Sequence, residues 1–181
     1  MKYTLEIQKR LLQVENGNLS PHEKALLLKE AIRIADENDD PQWAVEMRLD
    51  LIYELNLLSQ AEEEIAVFSR ILDDYENNKD LISENDILWK YKWICGAAFD
   101  VPEVSQSQID AILEDFKIRT LRNGYSARAY YHLLFLHYNR MRQYDLAKEY
   151  ADKMLSEKLD DMMCEACELN LLLDYYLETG R

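Results

Sequence analysis

The stretch RAYYHLLFLHYNRMRQYDLAKEYADKML, residues 128–155, decides the fold of this chain. Its apolar and small side chains recur at intervals of three or four positions, which is the period of an amphipathic helix. A mainly polar break at residues 139–143 divides the stretch in two. We therefore predict two helices joined by a short turn. The first carries Tyr131, Leu134 and Tyr138, and the second carries Ala147, Ala151, Met154 and Leu155.

The same period extends along the 181 residues and predicts about nine helices. Residues 20–23, SPHE, are a start signal, with serine at the N-cap, proline at the first position and glutamate at the third. The Asn-Gly at 123–124 and the Thr-Gly at 179–180 are stop signals. The chain has only 4 glycines and 3 prolines, where average composition predicts about 22 of the two together. So few turn-forming residues argue against an all-β fold, and we predict an all-α one.

The positions of these side chains resemble those of the tetratricopeptide repeat (TPR), whose unit of about 34 residues is a helix hairpin. Counted from Arg128, the seven residues of the opening stretch occupy offsets 4, 7, 11, 20, 24, 27 and 28. Phe135 replaces the glycine that is usual at offset 8, which predicts a wider crossing of the two helices. Residues 60–78 are similar to the second half of another repeat. The resemblance implies a right-handed α-solenoid of antiparallel helix hairpins.

Three further segments, residues 88–94, 101–104 and 164–170, look like parts of long uncharacterised bacterial TPR proteins. We expect one TPR-like domain over residues 1–181, which would be the N-terminal part of a longer solenoid. The reason is the last helix, whose apolar stripe would remain half covered without a following helix. That stripe consists of Leu169, Leu172, Leu173 and Tyr176. The alternatives are that this helix caps the array or packs on a partner.

The composition argues against several classes of protein. The net charge is −14 with a pI near 4.6, whereas wrapping nucleic acid needs a basic surface, so we predict no nucleic-acid partner. No apolar run approaches the roughly 20 residues that span a bilayer, so we predict no membrane association. The first residues, MKYTLEIQKR, contain no secretory signal, and three cysteines are too few for a disulfide framework. A cytoplasmic protein is the expectation.

Charge is unevenly distributed along the chain. Residues 36–86 carry a net charge of −13, and residues 117–148 carry one of +6. One interpretation is that these are solvated helix faces whose sign has no consequence. A second is that they contact a partner, or two copies of the chain in head-to-tail self-association, since complementary fields orient and speed docking. A third places the two segments opposite each other within the superhelix.

The TPR resemblance also implies a binding surface. In this family the first helix of each hairpin lines a concave groove. Here that helix would present His132, Leu136, Asn139 and Arg140, beside Ala129. Such a groove would bind a protein or peptide, and Arg140 favours an acidic or amphipathic one. We therefore predict a non-enzymatic binding scaffold that needs no cofactor. The alternative is the recognition arm of a larger protein whose activity lies beyond residue 181.

Cys164 and Cys167 form the sharpest local pattern. Three positions apart on a helix, the two thiols share a face. A tetrahedral zinc site would need two more ligands, for which Cys95 and the three histidines are the candidates. The other interpretations are a thiol sensor and small residues packed where two helices cross. The sequence contains no glycine motif for binding phosphate or a dinucleotide.

Overall fold

The computed structural model describes residues 2–180, and within them it consists of nine α-helices without a strand. The predicted all-α class and the predicted number of helices are confirmed. The helices are α1 (Lys2–Asn16), α2 (Pro21–Glu37), α3 (Pro41–Leu57), α4 (Ala61–Asn77), α5 (Glu84–Ala98), α6 (Gln106–Arg122), α7 (Arg128–Arg140), α8 (Tyr144–Ser156) and α9 (Glu165–Thr179). In this part of the chain, no helix is both long and apolar enough to cross a bilayer.

Local signals in the sequence set several helix boundaries. The Ser20 backbone N–H donates to the Glu23 carboxylate at 2.8 Å, and the Glu23 N–H donates to Ser20 Oγ at 3.4 Å, which forms the predicted capping box of α2. The N-cap of α3 is Asp40, whose carboxylate accepts from the Trp43 N–H at 3.2 Å. Gly180 ends α9 with a φ of 65°, a left-handed conformation that glycine adopts without strain.

Three of the connections between helices have the same form. The α2–α3, α3–α4 and α7–α8 links each contain three residues between the helix ends. The middle residue has a positive φ, which is 52° at Asp39, 55° at Ser59 and 56° at Arg142. Left-handed backbone at a residue other than glycine costs roughly 1–2 kcal/mol. We call these three links the left-handed turns.

Two backbone hydrogen bonds in each left-handed turn offset this cost. In the α7–α8 turn, the Arg142 N–H donates to Asn139 O at 3.0 Å and the Gln143 N–H donates to Tyr138 O at 2.9 Å. This is the Schellman pattern, in which the chain after a helix satisfies carbonyls of its last turn. The equivalent bonds of the other two turns are between 3.0 and 3.2 Å long. At each turn the helices on either side pack against each other.

The chain divides into two compact units, Met1–Lys90 and Tyr91–Arg181, and the boundary lies within α5. We refer to them as unit 1 and unit 2. The prediction of a single domain over residues 1–181 stays a prediction.

Unit 1 has a core formed by α1, α2 and α3. Its fully buried side chains include Ile7, Leu28, Ala31, Ala35, Met47 and Leu55. A buried cation also joins three helices of this unit. Arg48 of α3 donates to both carboxylate oxygens of Asp36 at 2.8 Å and to Asp74 at 3.1 Å. Since Asp36 lies in the last turn of α2 and Asp74 lies on α4, one guanidinium links α2, α3 and α4.

Unit 2 has a core between α7, α8 and α9. Its buried members are Phe135, Ala147, Ala151, Met154, Leu172 and Tyr175. The Phe135 ring meets the Tyr175 ring edge to face, with centroids 5.6 Å apart. In the middle of α5, Tyr91 meets the Phe116 ring of α6 in the same way at 5.8 Å. The Tyr91 hydroxyl donates to Asp115 at 2.9 Å, so α6 is attached to α5 by both contacts.

The left-handed turns predict that Arg142→Gly stabilises the protein. The Cβ of arginine disfavours a φ of 56°, whereas glycine adopts it readily. Glycine also increases the entropy of the unfolded chain, which reduces the gain. We expect the free energy of unfolding, measured by urea denaturation, to rise by about 0.5–1 kcal/mol. Met141→Gly is the matched control, because the neighbouring Met141 has a φ of −75° and glycine should destabilise it. Two variants with equal effects would contradict this account of the turn.

Candidate functional site

The four residues predicted to line a groove all lie on α7, and their accessibility differs. Asn139 is buried with 9% of its surface exposed, and among the described residues its Oδ1 atom has no hydrogen-bond partner. His132 and Leu136 are half-buried. Arg140 is the exposed member of the set. A ligand that approached this part of α7 would therefore meet Arg140 first.

Arg140 already has partners within unit 2. Its Nη1 atom donates to Asp100 Oδ2 at 2.8 Å and to Gly96 O at 3.2 Å. Gly96 belongs to the last turn of α5, where carbonyl groups lack partners inside the helix. The guanidinium therefore stabilises the carboxyl end of α5. An acidic ligand at Arg140 would have to compete with Asp100.

Most cations of the basic segment 117–148 are also paired inside unit 2. Five of its seven cations form ion pairs with N–O distances between 2.7 and 3.2 Å. These pairs are Lys117–Glu114, Arg119–Asp115, Arg128–Glu168, Arg140–Asp100 and Lys148–Asp152. The positive charge of the segment is thus largely compensated within the unit. Binding of an acidic peptide by α7 and self-association through opposite charges both stay predictions.

A deeply buried ion pair of unit 2, between Arg128 and Glu168, is not predicted from the sequence. Arg128, the first residue of α7, donates from Nε and Nη2 to the two carboxylate oxygens of Glu168 at 2.8 and 2.7 Å. Its Nη1 atom donates to Glu157 O at 2.6 Å. The side chains of Arg128 and Glu168 are 10% and 2% exposed. Such a bidentate pair compensates both buried charges and joins the first turns of α7 and α9.

Lys92 and His132 lie beside this ion pair. Lys92 Nζ donates to Met162 O at 2.6 Å, and burial lowers the pKa of Lys92 to about 8. Burial also lowers the pKa of His132 to about 4, and the charge of Lys92 acts in the same direction. The imidazole is therefore neutral at pH 7. Its Nδ1 atom is buried and has no hydrogen-bond partner in residues 2–180, so His132 offers no positive charge to an acidic ligand.

The sequence contains one weak signal for this ion pair. Arg128 and Glu168 are 40 positions apart, and no local spacing relates them. Arg128, however, is the first residue of a helix, where the macrodipole disfavours a cation. A cation in that position indicates a specific acidic partner, although it does not say which residue supplies the carboxylate.

Cys164 and Cys167 lie at the start of α9, where Cys164 is the N-cap and Cys167 the third helical residue. Cys164 is half-buried and Cys167 is exposed, whereas Cys95 on α5 is buried. Within residues 2–180, no group of three or more histidines, cysteines or acids is placed to hold a metal ion. The zinc interpretation therefore gains no support from the geometry. The thiol interpretation stays a prediction.

Helix α9 has a buried side and an exposed apolar side. Glu168, Leu172 and Tyr175 face the core, and the Tyr175 hydroxyl donates to Tyr144 O at 3.2 Å. The exposed side, which we call the α9 stripe, consists of Leu169, Leu173, Tyr176 and Leu177, with exposed fractions of 59, 55, 43 and 72%. Residues at this spacing share one helix face. Leu172, predicted as part of the stripe, belongs to the buried side because it is only 8% exposed.

The burial of His132 predicts a pH dependence of stability. Its pKa in the folded chain is about 4, below the usual 6.5, so between these values only the unfolded chain takes up the proton. The free energy of unfolding therefore falls as the pH drops from 6.5 towards 4. His132→Gln lacks this contribution. Over this window we expect the wild type to lose up to about 3 kcal/mol more than the variant in urea denaturation. Parallel losses in the two proteins would contradict the burial of a neutral imidazole.

Comparison of the chain with family models, with curated proteins and with solved structures gives no match. The TPR resemblance therefore rests on the residue patterns of 128–155 and 60–78, and it stays a prediction.

Proposed function

We propose that this chain is a non-enzymatic, TPR-like scaffold that binds another protein through the α9 stripe. Its helices would stack as antiparallel hairpins in a right-handed α-solenoid. Preformed helices lower the entropy lost when a partner is bound, which is the advantage of such a scaffold. The observation that carries the proposal is the exposed apolar face of α9.

The α7–α8 hairpin supports the TPR part of the proposal. Ala147 and Ala151 are buried in one core with Phe135, and small side chains allow two helices to approach closely. Of the seven residues that match the TPR frame, Leu155 is the exposed one, at 49%. Of the other six, Leu134, Ala147, Ala151 and Met154 are buried. Tyr131 and Tyr138 are partly buried and pack against the core.

The left-handed turns support the stacked hairpins. The same backbone form occurs at Asp39 and Ser59 in unit 1 and at Arg142 in unit 2. Each unit therefore contains antiparallel neighbouring helices of the kind that an α-solenoid stacks. The residues in the middle of these turns differ, so what is repeated is the backbone conformation and its hydrogen bonds.

The α9 stripe groups several exposed apolar side chains, in contrast to the isolated ones found on most protein surfaces. Isolated exposed leucines are common in folded proteins. Here, however, four large apolar side chains share one helix face between residues 169 and 177, and each is at least 43% exposed. Large exposed apolar side chains grouped on one face, in contrast to scattered ones, favour a protein contact. An amphipathic helix of a partner is the usual occupant of such a helical surface.

The charges on α9 indicate the chemistry of the partner. The helix sequence EACELNLLLDYYLET contains four acids and no basic residue. The Glu168 carboxylate is paired with Arg128, whereas the side chains of Glu165, Asp174 and Glu178 are exposed. A partner helix with an apolar face and flanking lysines or arginines complements both the stripe and these acids. We therefore commit to a basic amphipathic helix of a partner protein.

A peptide selection tests this proposal. A displayed library of helix-length peptides is selected against the full chain, and the enriched peptides are measured by fluorescence anisotropy. We expect apolar residues at helical spacing flanked by lysine or arginine. Leu173→Lys should weaken their binding about tenfold or more, because it places a charge in the middle of the apolar contact.

Leu12→Lys is the matched control for Leu173→Lys. Leu12 on α1 is 57% exposed and Leu173 is 55% exposed, so both variants add one lysine to a similarly accessible position. Binding should be unchanged in the Leu12 variant, and circular dichroism shows whether both variants fold. Peptides that bind both variants equally would contradict a role for the stripe. Enriched acidic peptides whose binding is lost in Arg140→Glu would place the site on α7 instead.

A further inference from the structure

We propose that Cys164 and Cys167 form a reversible disulfide by exchange with a low-molecular-weight disulfide, which makes the start of α9 a redox-sensitive site. This inference goes beyond the protein-binding function and rests on different residues of the helix. It would stand if the α9 stripe bound nothing.

The geometry places two accessible thiols at the start of one helix. Cys164 is the N-cap with extended backbone, at φ −104° and ψ 111°, and Cys167 lies in the first turn. Residues three apart on a helix have Cβ atoms about 5–6 Å apart, whereas a disulfide needs about 3.8 Å. Because an N-cap residue lies outside the regular helix, its backbone can close this gap while the later turns of α9 keep their hydrogen bonds.

Positive charge and N–H groups surround the Cys164 sulfur. A hydrogen bond from the Cys167 thiol has the largest effect in lowering the pKa of Cys164. The N–H groups of Cys167 and Ala166 act in the same direction, although neither makes a capping hydrogen bond to the sulfur, and burial opposes them. The Lys92 ammonium, fixed by its bond to Met162 O, adds to the effect. The thiolate is the form of cysteine that attacks a disulfide. These contacts favour that form at Cys164.

The two cysteines are not equivalent in the exchange. The hydrogen bond to Cys164 and partial burial raise the pKa of Cys167. As the N-cap, Cys164 also lies beside the N–H groups of the first turn of α9 that lack partners inside the helix, so we assign it as the attacking residue. Cys167 is more exposed and lies on the same helix face, so it is placed to resolve the mixed disulfide that Cys164 forms.

The thiol–disulfide exchange needs no metal or cofactor, because the small disulfide accepts the electrons of both cysteines. The Cys164 thiolate attacks one sulfur of the small disulfide, whose S–S bond breaks and releases one thiolate. The Cys167 thiol then loses its proton and attacks Cys164 Sγ, which releases the second small thiolate. The two protein thiols are oxidised, the small disulfide is reduced to two thiols, and the protons of the cysteines end on those products. An excess of small thiol reverses both steps.

Cys95 does not take part in this chemistry. It is fully buried in α5, and burial raises the pKa of its thiol well above the usual range. A neutral, inaccessible thiol exchanges slowly. Cys95 therefore serves as an internal unreactive control for the other two cysteines.

Mass spectrometry of the full chain with oxidised glutathione tests the proposal. The protein is incubated at pH 7, quenched with acid, alkylated and digested. We expect a short-lived glutathione adduct on Cys164, then a product two hydrogens lighter with Cys164 bonded to Cys167. Dithiothreitol should restore both thiols. Cys95 should stay a free thiol throughout and react with the alkylating reagent only when the protein is unfolded.

Three variants separate the roles of the cysteines. Cys167→Ser should stop at a stable adduct on Cys164. Cys164→Ser should consume glutathione disulfide about tenfold more slowly, and serine is a favourable N-cap, so this variant should fold. Cys95→Ala should react as the wild type does. Stable adducts on both Cys164 and Cys167 without a disulfide, or first reaction at Cys95 or Cys167, would overturn the proposal.

Discussion

The buried ion pair between Arg128 and Glu168 fixes the position of α9 in unit 2. Either charge buried alone would cost several kcal/mol, so the arrangement is stable only while both are matched. Because Arg128 also binds the Glu157 carbonyl, the same guanidinium determines the path of the chain between α8 and α9. The contact is a bidentate one, which restricts the orientation of α9 as well as its distance from α7.

The orientation of α9 has two consequences. The side chains of Glu168, Leu172 and Tyr175 face the core. Because of the helical period, the α9 stripe then faces solvent. At the start of the helix, the same orientation places Cys164 near Lys92. Protein binding and thiol exchange are therefore proposed for different turns of one helix. Both depend on the ion pair that holds the helix against α7.

The sequence predicted the local features well and the long-range polar contacts poorly. Helix periods and the capping box at Ser20 follow from neighbouring residues, and so they could be found without a structure. Arg128 and Glu168 lie 40 positions apart, and the pairing of Arg140 with Asp100 depends equally on tertiary packing. The TPR resemblance predicts Arg140 as a ligand contact, and that stays a prediction. The structure adds its hydrogen bonds to Asp100 and Gly96 O, which no local spacing indicates.

Hydrogen exchange of α9 in the wild type and in Glu168→Gln tests the central claim most directly. The account predicts that amides of α9 are protected in the wild type, like those of α7. In the variant, α9 and the α8–α9 link should lose protection by several orders of magnitude, because Arg128 is left buried without a carboxylate, while the α7–α8 hairpin keeps most of its own. Unprotected α9 amides in the wild type, or equal protection in both proteins, would contradict it.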